Sequence, residues 1–282
     1  MRKFIFGFVL TLFCVTQTLA QSPWNEEAGH GYFKLSEAII ISNDFYDANG
    51  QIIPIKTSGV YITSLYGEYG LSDRITAHLY FPFFYRNTIN AQEQTNSGIT
   101  EAGDASNSIG DTNIGLSYGV MQEGPFVLNA SITLGLPLGE TAGGDSQVLQ
   151  SGDGEFNQLI KLNAGYSFSG APIYAAASVG FNNRTERFSD EFHARLEAGF
   201  TVQQRLTAAV KLYNLTSLEN GDTVISRQSG LFSNNLEYFA IGSEVNYAYT
   251  DNWGLSLSIR GAASGQNILA SPSYSVGLFY DF

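Results

Sequence analysis

From about Gly31 to the C-terminus the chain repeats one theme: about ten to thirteen residues of alternating character, then a break rich in Gly, Asn, Asp, Ser or Pro. Alternation with period two puts successive side chains on opposite faces of a strand. Between Ile75 and Arg86, one face carries Ile75, Ala77, Leu79, Phe81, Phe83 and Tyr85; the other carries Thr76, His78, Tyr80, Pro82, Phe84 and Arg86. Phe126 to Pro137 and Phe192 to Gln203 divide in the same way, and Tyr274, Val276, Leu278, Tyr280 and Phe282 share a face in the last segment. Strands of a small sandwich average roughly five to six residues. These segments are longer, and suit a tilted bilayer crossing of about nine to eleven.

About twelve segments start near residues 31, 58, 74, 111, 125, 156, 173, 191, 206, 236, 253 and 273. The breaks between them alternate in length. Short ones fall at 72–73, 122–125, 169–172, 203–205 and 250–252; long ones at 43–56, 87–109, 138–155, 183–190, 215–234 and 262–271. Outer-membrane barrels have short periplasmic turns and longer extracellular loops. The expected fold is therefore all-β: a transmembrane antiparallel up-and-down β-barrel of about twelve strands. An even count leaves both termini in the periplasm of a Gram-negative cell. Tyr85, Phe126, Phe168, Tyr249, Trp253, Tyr280 and Phe282 fall at strand ends, where an aromatic girdle belongs.

Composition fits this reading. Only 14% of residues are charged, while 30 Gly, 20 Phe and 16 Tyr leave a mean hydropathy of -0.04. A helical span needs roughly 20 consecutive apolar residues, and the sustained apolar run, Phe4 to Val15, is shorter. With Arg2 and Lys3 before it and Thr18-Leu19-Ala20 after it, the run reads as a secretory signal peptide over 1–20, leaving 21–282 as the barrel. Its removal takes away Cys14 and leaves 12 Lys and Arg against 26 Asp and Glu, a net charge of −14. An exported chain without cysteine has no disulfide or thiol chemistry. Nucleic acid, which needs a basic surface, is excluded as a partner.

The chain ends Ser275-Val276-Gly277-Leu278-Phe279-Tyr280-Asp281-Phe282. This resembles the terminal signal by which the barrel assembly machinery recognises outer-membrane proteins, with Ser275, Gly277, Tyr280 and Phe282 at the signature positions. Three further stretches carry a family resemblance: Ile109-Gly110-Asp111-Thr112-Asn113-Ile114-Gly115-Leu116, Leu134-Gly135-Leu136-Pro137-Leu138-Gly139, and Ser151-Gly152-Asp153-Gly154 leading into the strand from Phe156. They resemble the MetA-pathway phenol-degradation family of transporter-like outer-membrane proteins. Leu138 stands where the family more often has Thr. The match is good over about 109–170 and architectural elsewhere. It implies a porin or channel, and no binding residues carry over from it.

Catalysis has little support. A barrel esterase needs a Ser oriented by a nearby His. His30 precedes Gly-Tyr-Phe, His78 precedes Leu-Tyr-Phe, and His193 precedes Ala-Arg-Leu. Asp190 and Glu191 near His193 read as a loop acid pair leading into a strand. Asp104, Asp111, Asp145, Asp153 and Glu155 lack the spacing of a calcium loop and read as solvated loop acids. No enzyme activity, metal or cofactor is expected.

Function is expected in the lumen. Charge facing lipid costs roughly 2 to 4 kcal/mol at midplane for Arg or Lys, so the inward candidates are Glu68, His78, Arg86, Asn113, Asn129, Lys161, Asn163, Arg195, Glu197, Lys211, Glu244 and Arg260. Twelve strands lie between the filled eight-stranded barrels and the open sixteen-stranded ones. The leading expectation is a narrow passive channel for small, apolar or aromatic solutes, bounded by outer-membrane lipid and lipopolysaccharide. The alternatives are a closed structural or surface-interaction barrel acting through its extracellular loops, and a barrel hydrolase using His193. The segment 21–30 is too short for a separate plug domain but long enough to enter the lumen from below.

Overall fold

The computed structural model describes residues 22–93, 100–223 and 231–282; the expected signal peptide lies outside them. Twelve antiparallel strands run in chain order: β1 (Gly31–Tyr46), β2 (Ile52–Ser72), β3 (Ile75–Ile89), β4 (Thr112–Met121), β5 (Phe126–Leu136), β6 (Asn157–Ser167), β7 (Ile173–Arg184), β8 (Glu191–Val202), β9 (Leu206–Ser217), β10 (Glu237–Ala248), β11 (Trp253–Gln266) and β12 (Ser273–Asp281). Each pairs with its neighbours in sequence, and β12 pairs with β1 from Tyr32↔Asp281 to Ile40↔Ser273, which closes the barrel. Closure matters in lipid, where an unpaired strand edge has no water to satisfy it. No described residue is helical.

The alternation of the sequence becomes two faces. In β5, Val127, Asn129, Ser131 and Thr133 are buried inside, while Phe126 and Ile132 are 41% and 43% exposed outside. Leu, Ile, Val, Phe and Tyr cover the outer face around the barrel, from Leu35 and Ile39 on β1 to Tyr274 and Val276 on β12. A band this large and apolar needs lipid against it. Turns at one end are tight. The Val202–Arg205 turn closes with Arg205 N–H donating to the Val202 carbonyl (3.0 Å), and Gln203 and Gln204 both take positive φ, 52° and 56°, the backbone that matches strand twist in a two-residue hairpin.

Three expectations change. The break at 43–56 is mostly strand: β1 continues to Tyr46 and β2 begins at Ile52, because the Asp47 carboxylate accepts from Asn49 N–H and Gln51 N–H (2.8 Å each) and holds a compact turn. The break at 262–271 shortens likewise, since β11 runs to Gln266 and Ile268–Leu269 pairs with the end of β1. The third is a face reversal. Thr63 pairs with Phe84 and Leu65 with Phe81, so Ser64 alone opposes Pro82 and Phe83. This bulge inverts the rest of β3. Phe83 and Phe84 are both exposed, Tyr85 turns inward and is 4% exposed, and Arg86 leaves the lumen, its Nη1 donating to Asn107 Oδ1 (2.7 Å) on the outer side. Arg86 is therefore not a lumen residue, and Tyr85 is not part of the aromatic girdle.

The outer face carries one carboxylate well inside β1. Glu37 pairs with Thr63 and Val276 between outward Leu35 and Ile39, and the Thr63 hydroxyl donates to its Oε2 (2.6 Å). Thr63→Val keeps the shape but strips that donor in a medium that supplies no other. We expect it to cost about 1–3 kcal/mol in reversible unfolding from lipid vesicles. Glu37→Gln combined with Thr63→Val should recover most of the loss; an unchanged unfolding midpoint for Thr63→Val would refute this.

Candidate functional site: the lumen

The inner face divides into a mouth at the short-turn end, a charged belt, and a chamber under the long loops. At the mouth the chain before β1 folds back into the barrel. Asn129 Nδ2 donates to the Ser22 carbonyl (2.9 Å), the Pro23 carbonyl (3.0 Å) and Asn25 Oδ1 (3.1 Å). Asn163 Nδ2 in turn donates to Asn129 Oδ1 (2.7 Å) and Ser131 Oγ (3.2 Å). Asn25 N–H donates to Gln122 Oε1 (3.1 Å) and Glu26 N–H to Thr76 Oγ1 (2.9 Å). Trp24 meets the Tyr174 ring edge-on at 5.7 Å. Asn129 and Asn163, expected to line a water path, thus hold the N-terminal segment against the wall. A cavity of about 430 Å³ remains beside it, bordered by Trp24, Tyr32, Glu197 and Glu244.

Gly165 makes room for this segment. A Cβ there would lie 2.8 Å from Pro23 Cγ and 2.8 Å from Trp24 Cη2. Gly165→Leu should expel residues 22–25 from the mouth while leaving the strand pairing intact. The expected readout is a larger single-channel conductance than wild type together with faster proteolysis of the N-terminus; a variant with wild-type values on both counts would refute the packing.

The belt comes from register. Pairing puts Glu197 opposite Lys211 and Glu68 opposite His78. Glu244 accepts from Lys34 Nζ (3.2 Å), Lys211 Nζ and Ser256 Oγ (3.0 Å). Glu197 accepts from Arg195 and from the Tyr174 hydroxyl (2.6 Å), and Lys211 Nζ lies 3.8 Å from its Oε2. The Tyr66 hydroxyl donates to Glu68, whose Oε1 is 3.8 Å from His78 Nδ1. Arg195 and Arg260 stand over opposite sides of the network against the Tyr213 ring, at 5.8 and 5.2 Å. Lys161 is buried among them, 7% exposed. Formally Lys34, Lys161, Arg195, Lys211 and Arg260 face Glu68, Glu197 and Glu244, an excess of two positive charges among the described residues. Two cavities of about 130 and 150 Å³ have Tyr213 in their walls here. Asn113 borders the second of them and the chamber above.

The chamber at the long-loop end, about 220 Å³, has a wall that sequence reading left in solvent. The loop before β6 folds inward, and Arg184 binds Asp153 (2.7 Å), Glu155 (2.8 Å) and Glu191 (2.8 Å) with its guanidinium 4.4 Å from the Phe188 ring centre. Glu155 is 1% exposed and Glu191 7%, so neither is a solvated loop acid. Asp111 accepts from Gly139 N–H (2.9 Å) and Asp153 N–H (3.0 Å) and pins two parts of the same loop. Desolvation raises the Asp153 carboxyl to about 7 against the pull of Arg184. His193 Nε2 sits 3.0 Å from Glu191 Oε2, taken up by this network. The chamber is also lined by Ala38, Ile40, Ile62 and Tyr85, members of one apolar cluster.

Sequence reasoning missed Lys34, Tyr66, Tyr174, Tyr213 and Arg184. Lys34 was findable: it shares the inward face of β1 with Tyr32 and Ser36. Arg184 falls in a predicted break, where alternation no longer tells faces apart. The terminal residues Ser275 and Gly277 sit on the inner face of β12, and Tyr280 and Phe282 on the outer face, where Tyr280 packs 4.7 Å from Trp253 and 5.5 Å from Phe282.

The model of the family described as "Putative MetA-pathway of phenol degradation" matches residues 42–276. No curated protein matches the sequence. Among solved structures, the chain is similar to the COG4313 outer membrane channel from Pseudomonas putida F1, with a TM-score of 0.66 and 14% identity over 94% of this chain and 100% of that one. It is also similar to the KdgM porin in complex with disordered oligogalacturonate, with a TM-score of 0.50 and 10% identity over 89% and 99% of the two chains. The translocator domain of the autotransporter NalP from Neisseria meningitidis gives a TM-score of 0.50 and 10% identity over 91% and 90%. At these identities the likeness is one of fold, the outer-membrane type of closed β-barrel.

Proposed function

The chain belongs to this MetA-pathway phenol-degradation family, and on that premise we propose that it is a narrow passive channel of the outer membrane for small, apolar or aromatic solutes. The observation that carries the proposal is the succession of cavities at the mouth, beside Tyr213 and under the long loops. Neighbouring cavities share wall residues: Lys34, Tyr66, Lys211 and Glu244 between mouth and belt, Tyr80 between belt and chamber. The belt carries a positive excess and the chamber a negative one, in series. A simple anion meets one barrier and a simple cation the other, so the arrangement favours small uncharged solutes.

The apolar outer band sets the chain in a bilayer. The short turns and both termini then face the periplasm, and the long loops face outward, against lipopolysaccharide. The last strand, with Ser275, Gly277, Tyr280 and Phe282, is what the assembly machinery would read. Lumen function rests on Glu68, His78, Lys161, Arg195, Glu197, Lys211, Glu244 and Arg260 as the selective belt, with Asn113 in the cavity above. We read the protein as non-catalytic, in keeping with the channel and the porin among the solved structures it is similar to.

Ion pairing across the belt favours a second reading, a barrel closed at mid-height that works through its loops. Planar-bilayer recording separates the two. The channel predicts discrete openings from the folded protein and uptake of a neutral aromatic solute into proteoliposomes. A correctly folded barrel that stays silent and admits no solute would refute the channel and leave the closed barrel.

A further inference from the structure

We propose that the long-loop chamber binds a small organic cation, a primary ammonium on an apolar body, and that its occupancy blocks the lumen. The acidic wall carries Asp111, Asp153, Glu155 and Glu191 against the single guanidinium of Arg184, a formal excess of three negative charges among the described residues. The same chamber is lined by Ile40, Ile62, Leu215, Phe232 and Leu236. An inorganic ion would use only the acidic wall and a hydrocarbon only the apolar residues. An ammonium on an aromatic-sized body uses both.

A second observation points to a ligand independently of the charge. Tyr85 and Asn182 both line this chamber, on side chains 4% and 6% exposed, and neither the Tyr85 hydroxyl nor Asn182 Oδ1 has a hydrogen-bond partner among the described residues. Buried polar atoms are almost always paired, so two orphans on one chamber mark a place where a partner is missing. Asn182 Oδ1 can only accept, and the Tyr85 hydroxyl can accept; an ammonium, with three donors, suits either. Its other amide edge is already spent, Asn182 Nδ2 donating to Glu191 Oε2 (3.0 Å). The rings of Tyr85 and Phe232, 5.9 Å apart and inclined at 48°, give the apolar body an aromatic corner. Burial raises the Asp111, Asp153 and Glu155 carboxyls, while Glu191, buried too, is held below its ordinary value by Arg184.

A cation held there faces the positive excess of the belt on the periplasmic side of the proposed pore, so it leaves by the way it came and obstructs the path while bound. The block, though not the binding, rests on the channel reading. Calorimetric titration of the detergent-solubilised protein with benzylammonium, benzyl alcohol and benzoate tests the binding without requiring conduction. Benzylammonium should bind at least about tenfold more tightly than either analogue. Asp111→Asn should weaken it by about tenfold, and Tyr85→Phe, which removes only an unpartnered hydroxyl and keeps the ring, by about threefold. Benzyl alcohol binding as tightly as benzylammonium would overturn the proposal, as would unchanged affinity in both variants. Heat from Ca²⁺ alone, with none from benzylammonium, would overturn it in favour of an inorganic ion. In bilayers, benzylammonium should reduce the current only from the long-loop side. Binding without any channel openings would leave the site standing and refute the channel, whereas openings without binding would do the reverse.

Discussion

Arg184→Leu is expected to lower the unfolding free energy of the refolded barrel by about 3–5 kcal/mol, the largest effect foreseen for a single substitution. Its guanidinium is the shared partner of Asp153, Glu155 and Glu191, and its side chain is only 6% exposed. Leucine fills similar space but leaves three carboxylates buried together without a counter-charge. Breaking such a group from one side costs far more than the intact pairing contributes. Arg187→Leu supplies the contrast: its bond to Asp222 is 3.0 Å, but the side chain is 81% exposed, and exposed pairs contribute about 0–1 kcal/mol. Urea titration in lipid vesicles measures both. Equal effects from the two substitutions would show that the chamber wall does not depend on Arg184.

The same variant carries a pH signature. Asp153 is raised to about 7 in the folded state, first by desolvation, so the folded protein holds its proton more firmly than the unfolded chain does. Such a group favours the folded state most at low pH and loses that contribution as pH rises through about 4 to 7. Without Arg184 to stabilise the ionised form the carboxyl is raised further, so the decline should extend to higher pH, and Arg184→Leu should recover part of its lost stability on moving from pH 8 to pH 5. A deficit independent of pH would point to lost packing against Phe188 instead.

The second large effect is on selectivity. Glu244→Gln removes the negative charge shared by Lys34 and Lys211 and raises the positive excess of the belt from two to three, while the amide retains a carbonyl to accept from Ser256. The reversal potential across a salt gradient should shift toward anions, with the chloride-to-potassium permeability ratio rising by about two- to tenfold in a water-screened pore. Glu37→Gln removes an equal charge from the lipid-facing wall and should leave the ratio unchanged. A ratio indifferent to Glu244→Gln would place the permeant path away from the belt.

Much of the barrel was readable in the chain because the side-chain period of a strand is a local property. The outward sets Phe126 to Leu136 and Phe192 to Val202 follow from alternation alone, as do the inward positions of Glu68, Lys161, Lys211 and Glu244. Misplacement occurs where pairing between strands intervenes. Arg86 and Tyr85 exchange faces because Ser64, eighteen residues or more away in the chain, meets two residues of β3 instead of one, and Pro82 and Phe83 alone do not announce this. The break at 43–56 was lengthened by Asn, Asp, Gly and Pro, residues that here occupy a tight turn and the tip of a long hairpin.

What the sequence determined by itself is therefore the barrel, its strand count, its lipid and lumen faces and the alternation of its turns, since each depends on near neighbours and on the exclusion of charge from hydrocarbon. What the tertiary structure decided is how the inward residues are shared out. It gave Asn129 and Asn163 to the N-terminal segment, Glu244 to Lys34 and Lys211, and drew Asp153 and Glu155 out of a loop to meet Arg184 and Glu191. Those partners approach across the barrel or from folded-in loops. Register and closure bring them together, and no local period encodes a distance across a lumen.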